Sequence, residues 1–266
     1  MESITASKQF IGDSMNWENL ISSFDASGCN YLLDQKNLSR IDFINWAVML
    51  NMNYLLDLEQ KEANFDSDIF RNILRMSLYL PKQANEQEQY NEYNAIRAGE
   101  QFLCLREFYW PENIIRDLPD LFPDGFSICG FPDSPGSGSA ISPVIDVGIL
   151  SQSPNAERCA LFLKFILSDN IQKRVQNFPA QYNVFSDIKN SSISSAPEEK
   201  RENLSLYFNE TERAINESEL VFRNNLKTIQ IVDESVQGFL NGDKSINQTV
   251  SRLNERIQLY INEQAS

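Results

Sequence analysis

Three consecutive aromatic residues, Phe108, Tyr109 and Trp110, follow a short apolar run and are the side chains whose types could best bind a ligand. Three neighbouring side chains cannot all point into one core, so at least one of them should face a cleft or solvent. Flat aromatic rings suit the apolar faces of sugar rings, and the preceding Arg106 and Glu107 could hydrogen-bond to sugar hydroxyls. The alternative is a hydrophobic corner closed by the proline that follows, and the cluster alone favours the two interpretations equally.

Acidic residues are the other candidates for chemistry, because the chain contains no histidine. Without imidazole, Ser-His-Asp and Cys-His nucleophiles are excluded, and acid–base catalysis would fall to carboxylates, lysine, tyrosine or cysteine. The pairs Asp66/Asp68 and Asp117/Asp120 could form a glycosidase pair or a cation site. Carboxylates near helix starts usually serve capping and the helix dipole, and neither pair lies in an aromatic, water-excluding run. We therefore favour capping over catalysis and expect no enzymatic activity.

Metal, redox and phosphate sites receive little support from the remaining motifs. The four cysteines, Cys29, Cys104, Cys129 and Cys159, form no CxxC pair, and the last three lie in apolar runs typical of small buried residues. The glycine-rich segment 133–139 lacks the third glycine of a dinucleotide fingerprint and the lysine of a P-loop, which indicates a turn-rich loop. We therefore expect neither a metal ion nor a cofactor.

The composition limits the classes of partner. The chain has 266 residues, of which 42% are hydrophobic and 11% aromatic, enough for one large domain or two small ones. Its formal net charge of −14 at pH 7 disfavours binding to nucleic acids and to anionic membrane surfaces. No stretch reaches the roughly 18 apolar residues that a membrane span needs. The first residues show neither the basic nor the apolar part of a signal peptide, so the sequence as written predicts no export signal.

Local patterns predict a helix-rich α/β chain with a few strands in the middle. Capping residues and apolar stripes predict helices that begin near residues 16, 40, 68 and 154, one that ends at 241–242, and a last one after the capping box Ser245-x-x-Gln248. The helix that begins near residue 40 is predicted to continue through Leu55. Apolar runs predict strands at 101–105, 126–132 and 144–150. Polar composition predicts a loop at 191–203, and residues 1–13 are expected to be an unanchored start.

A series of short segments along nearly the whole chain carries a family resemblance through its order and spacing, although no single segment is specific. Arg-Ala-Gly-Glu at 97–100 precedes the apolar strand and the aromatic run. The others are Asn-Trp-Glu-Asn-Leu at 16–20, an acidic stretch and Phe-Asp-Ser-Asp-Ile-Phe within 57–70, Gly-Phe-Pro at 130–132, Gly-Ser at 138–139, Ile-Ser-Pro at 141–143, Gly-Ile at 148–149, Ser-Gln-Ser-Pro-Asn-Ala-Glu at 151–157 and Phe-Leu-Asn-Gly-Asp-Lys-Ser at 239–245. In this order they resemble the second half of a bacterial ABC-transporter extracellular solute-binding protein of the sugar-binding kind.

The resemblance implies a periplasmic-binding-protein-like fold of type II, in which two α/β lobes close around a cleft. It implies capture of a sugar or oligosaccharide in the interlobe cleft and delivery to the permease subunits of an ABC importer, without chemistry on the ligand. Such a protein would be a monomer if complete, and an extracytoplasmic, cell-surface lipoprotein. By alignment, Tyr109 and Trp110 are implied as the stacking platform, with Arg106 and Glu107 as hydroxyl contacts. Weaker implied contacts are Phe131, Ser137 and Ser139.

The chain also departs from the family pattern. The first half of the family pattern, which includes the signal segment, the lipid-anchored cysteine and most of the first lobe, has no counterpart in this sequence. We therefore expect residues 14–125 and 191–266 to form the C-terminal lobe, and 127–190 to belong to an otherwise missing N-terminal lobe. The 127–190 segment should then expose apolar side chains such as Phe162, Leu163 or Phe165. The alternative function is a truncated helical interaction protein that binds no sugar, and a carboxylate-based glycosidase is a third.

Overall fold

A computed structural model describes residues 2–7, 16–84, 89–123, 125–132, 139–142, 147–175, 177–221 and 225–264 of the chain. It confirms the predicted helix-rich α/β architecture. The helices are α1 (Trp17–Ser27), α2 (Arg40–Leu50), α3 (Met52–Leu55), α4 (Asp68–Ser77), α5 (Glu92–Arg97), α6 (Leu118–Leu121), α7 (Ala156–Ile166), α8 (Asp169–Gln172), α9 (Tyr182–Ser195), α10 (Glu198–Asn216), α11 (Leu226–Leu240) and α12 (Ile246–Gln264), with a π-helical turn at Asn113–Asp117. The strands are β1 (Glu2–Ser7), β2 (Leu56–Asp57), β3 (Glu62–Ala63), β4 (Leu103–Glu107), β5 (Phe126–Ile128), β6 (Ala140–Ile141) and β7 (Leu220–Val221).

Five short strands of the described chain form one sheet around β1. Along one edge, β1 pairs antiparallel with β4, from Glu2 opposite Glu107 to Ala6 opposite Leu103. Its other edge pairs antiparallel with β5 and, through Glu2, with Ala140 of β6. β7 continues the sheet parallel to β6. Because β4, β6 and β7 therefore run in the same direction, their carboxyl ends lie toward one end of the sheet.

The central position of β1 contradicts the predicted unanchored start over residues 2–7, while 8–13 lie outside the described residues. Only Ile4 and Ala6 alternate with polar residues here, a pattern too short to identify a strand. The partners of β1 lie far along the chain, at 103–107 and 126–128. Backbone hydrogen bonds to such distant segments fix the strand, and no local pattern reveals them.

Helices α1, α2, α4, α11 and α12 contribute most of the larger hydrophobic core, which we call the main core. Its members include Phe43, Phe70, Val236 and Leu253, all fully buried. The apolar stripes that predicted these helices face one another here, so burial of apolar surface stabilises each helix against its neighbours.

Side-chain caps fix where these helices begin. The hydroxyl of Ser39 accepts a hydrogen bond from the N–H of Asp42 at 3.3 Å, and the Asp42 carboxylate accepts from the N–H of Ser39 at 3.1 Å. Ser245 and Gln248 form the same reciprocal pair before α12. The capping box predicted at Ser245 is therefore confirmed, and Ser39 and Asp42 form a second one. The helix predicted to run through Leu55 is interrupted at Asn51, whose side-chain amide donates to the carbonyl of Ala47 at 2.9 Å.

A smaller cluster, which we call the second core, lies between the π-helical turn, α6, α9, α10 and one face of the sheet. Phe108, Ile114 and Phe208 are buried in it. The Tyr207 ring stacks on Phe126 with 5.3 Å between ring centroids, and its hydroxyl donates to the carbonyl oxygen of residue 122 at 2.7 Å. The second core therefore holds the segment that immediately follows β4.

The predicted loop at 191–203 is wrong, because α9 continues to Ser195 and α10 begins at Glu198. Pro197 separates the two helices, and Glu198 and Glu199 in the first turn of α10 interact favourably with its dipole. The serines lie on exposed or half-buried faces, so the composition is polar although the backbone is helical.

Three further sequence predictions also need correction. The strand predicted at 144–150 is absent from its described part, 147–150, which forms neither helix nor strand; residues 144–146 lie outside the described residues. The helix predicted to begin at residue 154 begins later, at Ala156, because residues 154 and 155 form a turn. The strand predicted at 126–132 is real but ends at Ile128.

Helix α7 differs from the other long helices because none of its residues is buried. Leu161, Phe162 and Phe165 are 66%, 60% and 59% exposed. The expected exposure of Phe162 and Phe165 is therefore confirmed, whereas Leu163 is half-buried. Among the described residues, no helix combines the length and the apolar character that crossing a bilayer requires.

Candidate functional site

The aromatic run divides between the second core and the surface. Phe108 is buried, whereas Tyr109 and Trp110 are 51% and 41% exposed. Their rings lie 5.8 Å apart between centroids, tilted by 45°. This agrees with the expectation that at least one of the three side chains would leave the core. We call Tyr109 and Trp110 the aromatic platform.

The platform stands just beyond the carboxyl end of β4. In open α/β sheets, ligands bind in the crevice outside the carboxyl ends of the strands. The carboxyl ends of β6 and β7 point the same way as that of β4, and Glu2 of β1 is the common pairing partner of Glu107 and Ala140. Glu107 and Ala140, the first residue of β6, are thus about 10 Å apart, twice the usual strand spacing.

Glu107 supplies an exposed carboxylate beside the platform. The Tyr109 hydroxyl donates a hydrogen bond to Oε2 of Glu107. That bond uses one of several acceptor positions on the carboxylate, so the group can still accept from a ligand hydroxyl. An exposed acceptor next to two exposed rings can hydrogen-bond to a hydroxyl group and stack on an apolar ring face.

Arg106 points into a partly buried polar cluster rather than toward solvent alone. Its guanidinium forms an ion pair with Glu92 of α5 at 2.7 Å. The other carboxylate oxygen of Glu92 accepts from the Cys104 thiol at 3.5 Å and from the Gln101 amide at 3.2 Å. Burial raises the pKa of the Cys104 thiol well above its usual range, and Glu92 adds to the effect while Arg106 opposes it. Arg106 thus already holds a charged partner in this structure.

Asn113, which the sequence analysis did not single out, joins the platform to the π-helical turn. Its Oδ1 accepts hydrogen bonds from the backbone N–H groups of Tyr109 and Trp110 at 3.1 and 3.2 Å. Its side-chain amide donates to Oδ2 of Asp117 at 2.7 Å. The signal in the sequence is an asparagine shortly after Pro111 with an acidic residue four positions later, a pattern common at turns and helix starts.

The weaker sequence candidates lie elsewhere. Phe131 is 2% exposed in the main core, where its ring stacks on Phe43 and contacts Trp46. Ser139 is also buried, and its carbonyl accepts from the Ser218 hydroxyl at 2.6 Å. Ser137 lies outside the described residues. The structure therefore brings Glu107, Tyr109 and Trp110 together at the surface and places Phe131 in a core.

The side chains of Asp66, Asp68 and Asp117 are engaged in local contacts. Asp66 and Asp68 both pair with Arg71 at the start of α4, where Ser67 is the N-cap. Asp117 accepts from Asn113 and pairs with Arg116 at 3.4 Å. Within the described residues, no three cysteine, aspartate or glutamate side chains converge in a way that could hold a metal ion.

Comparison with known proteins identifies the fold. No family model and no curated protein matches the sequence. Among solved structures, the sugar-binding protein MalE from Xanthomonas citri matches 99% of this chain and 69% of its own, with 13% identity and a TM-score of 0.59. An extracellular solute-binding protein of family 1 from Alicyclobacillus acidocaldarius matches 98% of this chain and 69% of its own, with 13% identity and a TM-score of 0.53.

A chitin oligosaccharide binding protein matches 100% of this chain and 70% of its own, with 16% identity and a TM-score of 0.52. The three structures thus align with nearly the whole of this chain and with about seven tenths of their own. Identities this low show the fold and no more. The chain has the type II periplasmic-binding-protein fold, which it shares with sugar-binding solute-binding proteins.

Proposed function

We propose that this chain is the carbohydrate-binding component of an ABC importer, which captures a sugar or oligosaccharide and delivers it to a permease. The observation that carries the proposal is the aromatic platform, Tyr109 and Trp110, exposed beside the Glu107 carboxylate at the carboxyl end of β4. Ring stacking would hold the apolar face of a sugar, and the carboxylate would accept from its hydroxyls. Binding of this kind changes no bond in the ligand.

The fold supports the proposal independently of these residues. MalE of Xanthomonas citri is a sugar-binding protein, and another structural relative binds chitin oligosaccharides. A protein that feeds an importer works outside the cytoplasmic membrane, and attachment there through a lipid anchor is part of the same proposal. The chain's net charge of −14 favours neutral ligands over acidic sugars, because like charges repel at the approach to the site.

We also propose that the chain divides between two lobes. Residues 14–125 and 191–266 would form one lobe, and 127–190 would belong to a second. Within 127–190, Phe131 and Ala140 pack into the main core and Phe185 into the second core. None of residues 147–171, which include α7, is buried, and the exposed face of α7 is the surface we propose for contact with the rest of the second lobe.

The test is calorimetric titration of the purified chain with maltose, maltotriose and chitin oligosaccharides. Trp110→Ala should weaken binding about tenfold, which corresponds to ~1.4 kcal/mol. Tyr79→Ala is the matched control, because Tyr79 is 40% exposed but lies after α4, at the Phe24 ring. The control should bind as the unmodified chain does.

Two results would overturn the proposal. If the unmodified chain binds none of these sugars, the chain is better described as a helical interaction protein. If it binds a sugar and Trp110→Ala binds equally well, the ligand site lies elsewhere. Products of glycosidic cleavage in the titration cell would instead indicate an enzyme.

A further inference from the structure

We infer that Asn113 is a positioning residue of the sugar site, which fixes the aromatic platform without touching the ligand; the inference rests on the function proposed above. Both platform rings are about half exposed, so packing against the core holds each of them only in part. Their placement depends on the backbone from which they project. Asn113 holds that backbone at the N–H groups of both Tyr109 and Trp110.

The backbone of Asn113 also contacts this segment, at the carbonyl group of Trp110. Its backbone N–H donates to the carbonyl of Trp110 at 3.1 Å, which closes a turn with Pro111 at its second position. Proline at this position fixes one backbone angle of the turn in advance. Trp110 is thus held through both its N–H and its carbonyl by a single residue.

The anchor for Asn113 lies in the second core. Ile114, the next residue, is fully buried there, and so is Leu118 one turn later. The Asn113 side chain is oriented by its hydrogen bond to Asp117 within the same π-helical turn. Single π-helical turns frequently occur at functional sites, where they displace one residue from the regular helical path. A chain of contacts therefore links the second core, Asn113 and the platform.

The energetic consequence is preorganisation. A platform that is already ordered loses little conformational freedom when a sugar stacks on it, so more of the contact energy appears as affinity. Without the Asn113 side chain, the N–H groups of Tyr109 and Trp110 would bond to water instead of Oδ1, and the segment would sample other conformations. Affinity should fall although every group proposed to touch the sugar is still present.

The test compares three variants by two measurements. Asn113→Ala removes the acceptor, and Asn113→Asp keeps it but sets two carboxylates side by side. The double variant Asn113→Asp with Asp117→Asn exchanges the two side chains and restores the hydrogen bond in reverse. Sugar affinity is measured by calorimetry, and exchange of the amide protons of Tyr109 and Trp110 by NMR of the ligand-free chain.

Asn113→Ala should bind sugar about tenfold more weakly, and the two platform amides should exchange about tenfold faster, since their acceptor is lost. The double variant should recover most of both losses, which a merely structural role of position 113 would not predict. Asn16→Ala is the matched control, because Asn16 caps α1 by a similar side-chain bond at 2.8 Å. It should change neither measurement.

The outcomes separate this inference from the proposed function. If the unmodified chain binds no sugar, the function fails and the inference fails with it. If the chain binds sugar, but Asn113→Ala keeps its affinity or its amide protection, the inference alone is wrong. Loss of affinity in the double variant equal to that in Asn113→Ala would also contradict it.

Discussion

The Cys104 thiol is buried, whereas the other three cysteines are half-buried. The Cys104 S–H donates to the Glu92 carboxylate. Burial raises the pKa of the thiol well above its usual range, so almost no thiolate forms near neutral pH. Because the thiolate is the reactive form, Cys104 should be chemically inert in the folded protein.

We therefore predict that iodoacetamide at pH 8 modifies Cys29 and Cys159, which are half-buried, well before Cys104. Mass spectrometry of tryptic peptides over a time course measures the three rates. Denaturation in guanidinium chloride should make the rates equal, which serves as the internal control. Modification of Cys104 in the native chain at the rate of Cys159 would show that the polar cluster around Glu92 opens readily.

The position of Phe131 shows what the types and spacing of residues in the sequence could not reveal. Phe131 was a candidate ligand contact because of the segment it belongs to, yet its ring lies among Phe43 and Trp46 in the main core. Nothing in the neighbouring residues distinguishes a phenylalanine that faces a cleft from one that faces a core. Tyr109 and Trp110 could be predicted because three adjacent aromatic residues cannot share one direction.

At the scale of elements, α9 and α10 are joined by a partly buried ion pair. The ammonium of Lys189 binds the Glu212 carboxylate and also donates to Asn209 at 2.7 Å. The hydrogen bond from Lys189, followed by that from Tyr182, lowers the pKa of Glu212 below its usual value. A carboxyl group with a lowered pKa stabilises the fold above its unfolded pKa of about 4.3, and loses that contribution as the pH falls through its folded pKa.

Lys189→Met should therefore lower the free energy of unfolding at pH 7 by about 1 kcal/mol, the upper range for pairs that water still reaches. The difference from the unmodified chain should shrink as the pH falls below about 4.3, the usual pKa of a glutamate in an unfolded chain, and through the lowered pKa of Glu212 in the folded chain. Urea unfolding at pH 7, 5 and 3.5 measures it. Lys82→Met, at an exposed lysine, is the control. A difference that stays constant across this pH range would exclude Glu212 as the partner responsible.

Elements differ in how far the sequence specifies them. α2, α4 and α12 begin where predicted because Ser39, Ser67 and Ser245 act on backbone groups three residues away. The strand β1 depends on partners about a hundred residues distant, and no local pattern carries that information. The region 191–203 has the composition of a loop because none of its residues is buried, and the buried stripe of α10 begins only at Leu204.

At the scale of the whole molecule, two cores and one uncovered helix organise the site. The main core supports the sheet, and the second core holds the segment from Phe108 through the π-helical turn. The platform comes directly after Phe108 in the chain, so the elements that pack in the second core support it. α7 contributes to neither core, and its apolar face stays open to solvent. The order of segments predicted the fold through the family resemblance, and it also predicted the exposure of Phe162 and Phe165, which lie in α7.

The exposed face of α7 leads to a prediction about stability. Phe162→Ser with Phe165→Ser should leave the free energy of unfolding within about 0.5 kcal/mol per site, because neither side chain is buried. Phe208→Ala, in the second core, should cost about 3–5 kcal/mol, because it creates a cavity. The double variant should also bind less of the dye ANS, which fluoresces on exposed apolar surface. Urea unfolding and ANS titration of the three proteins measure these effects.

A loss of stability in the double variant comparable to that in Phe208→Ala would mean that α7 packs against the rest of the chain. Unchanged stability with lower ANS fluorescence would support α7 as a surface that another lobe covers.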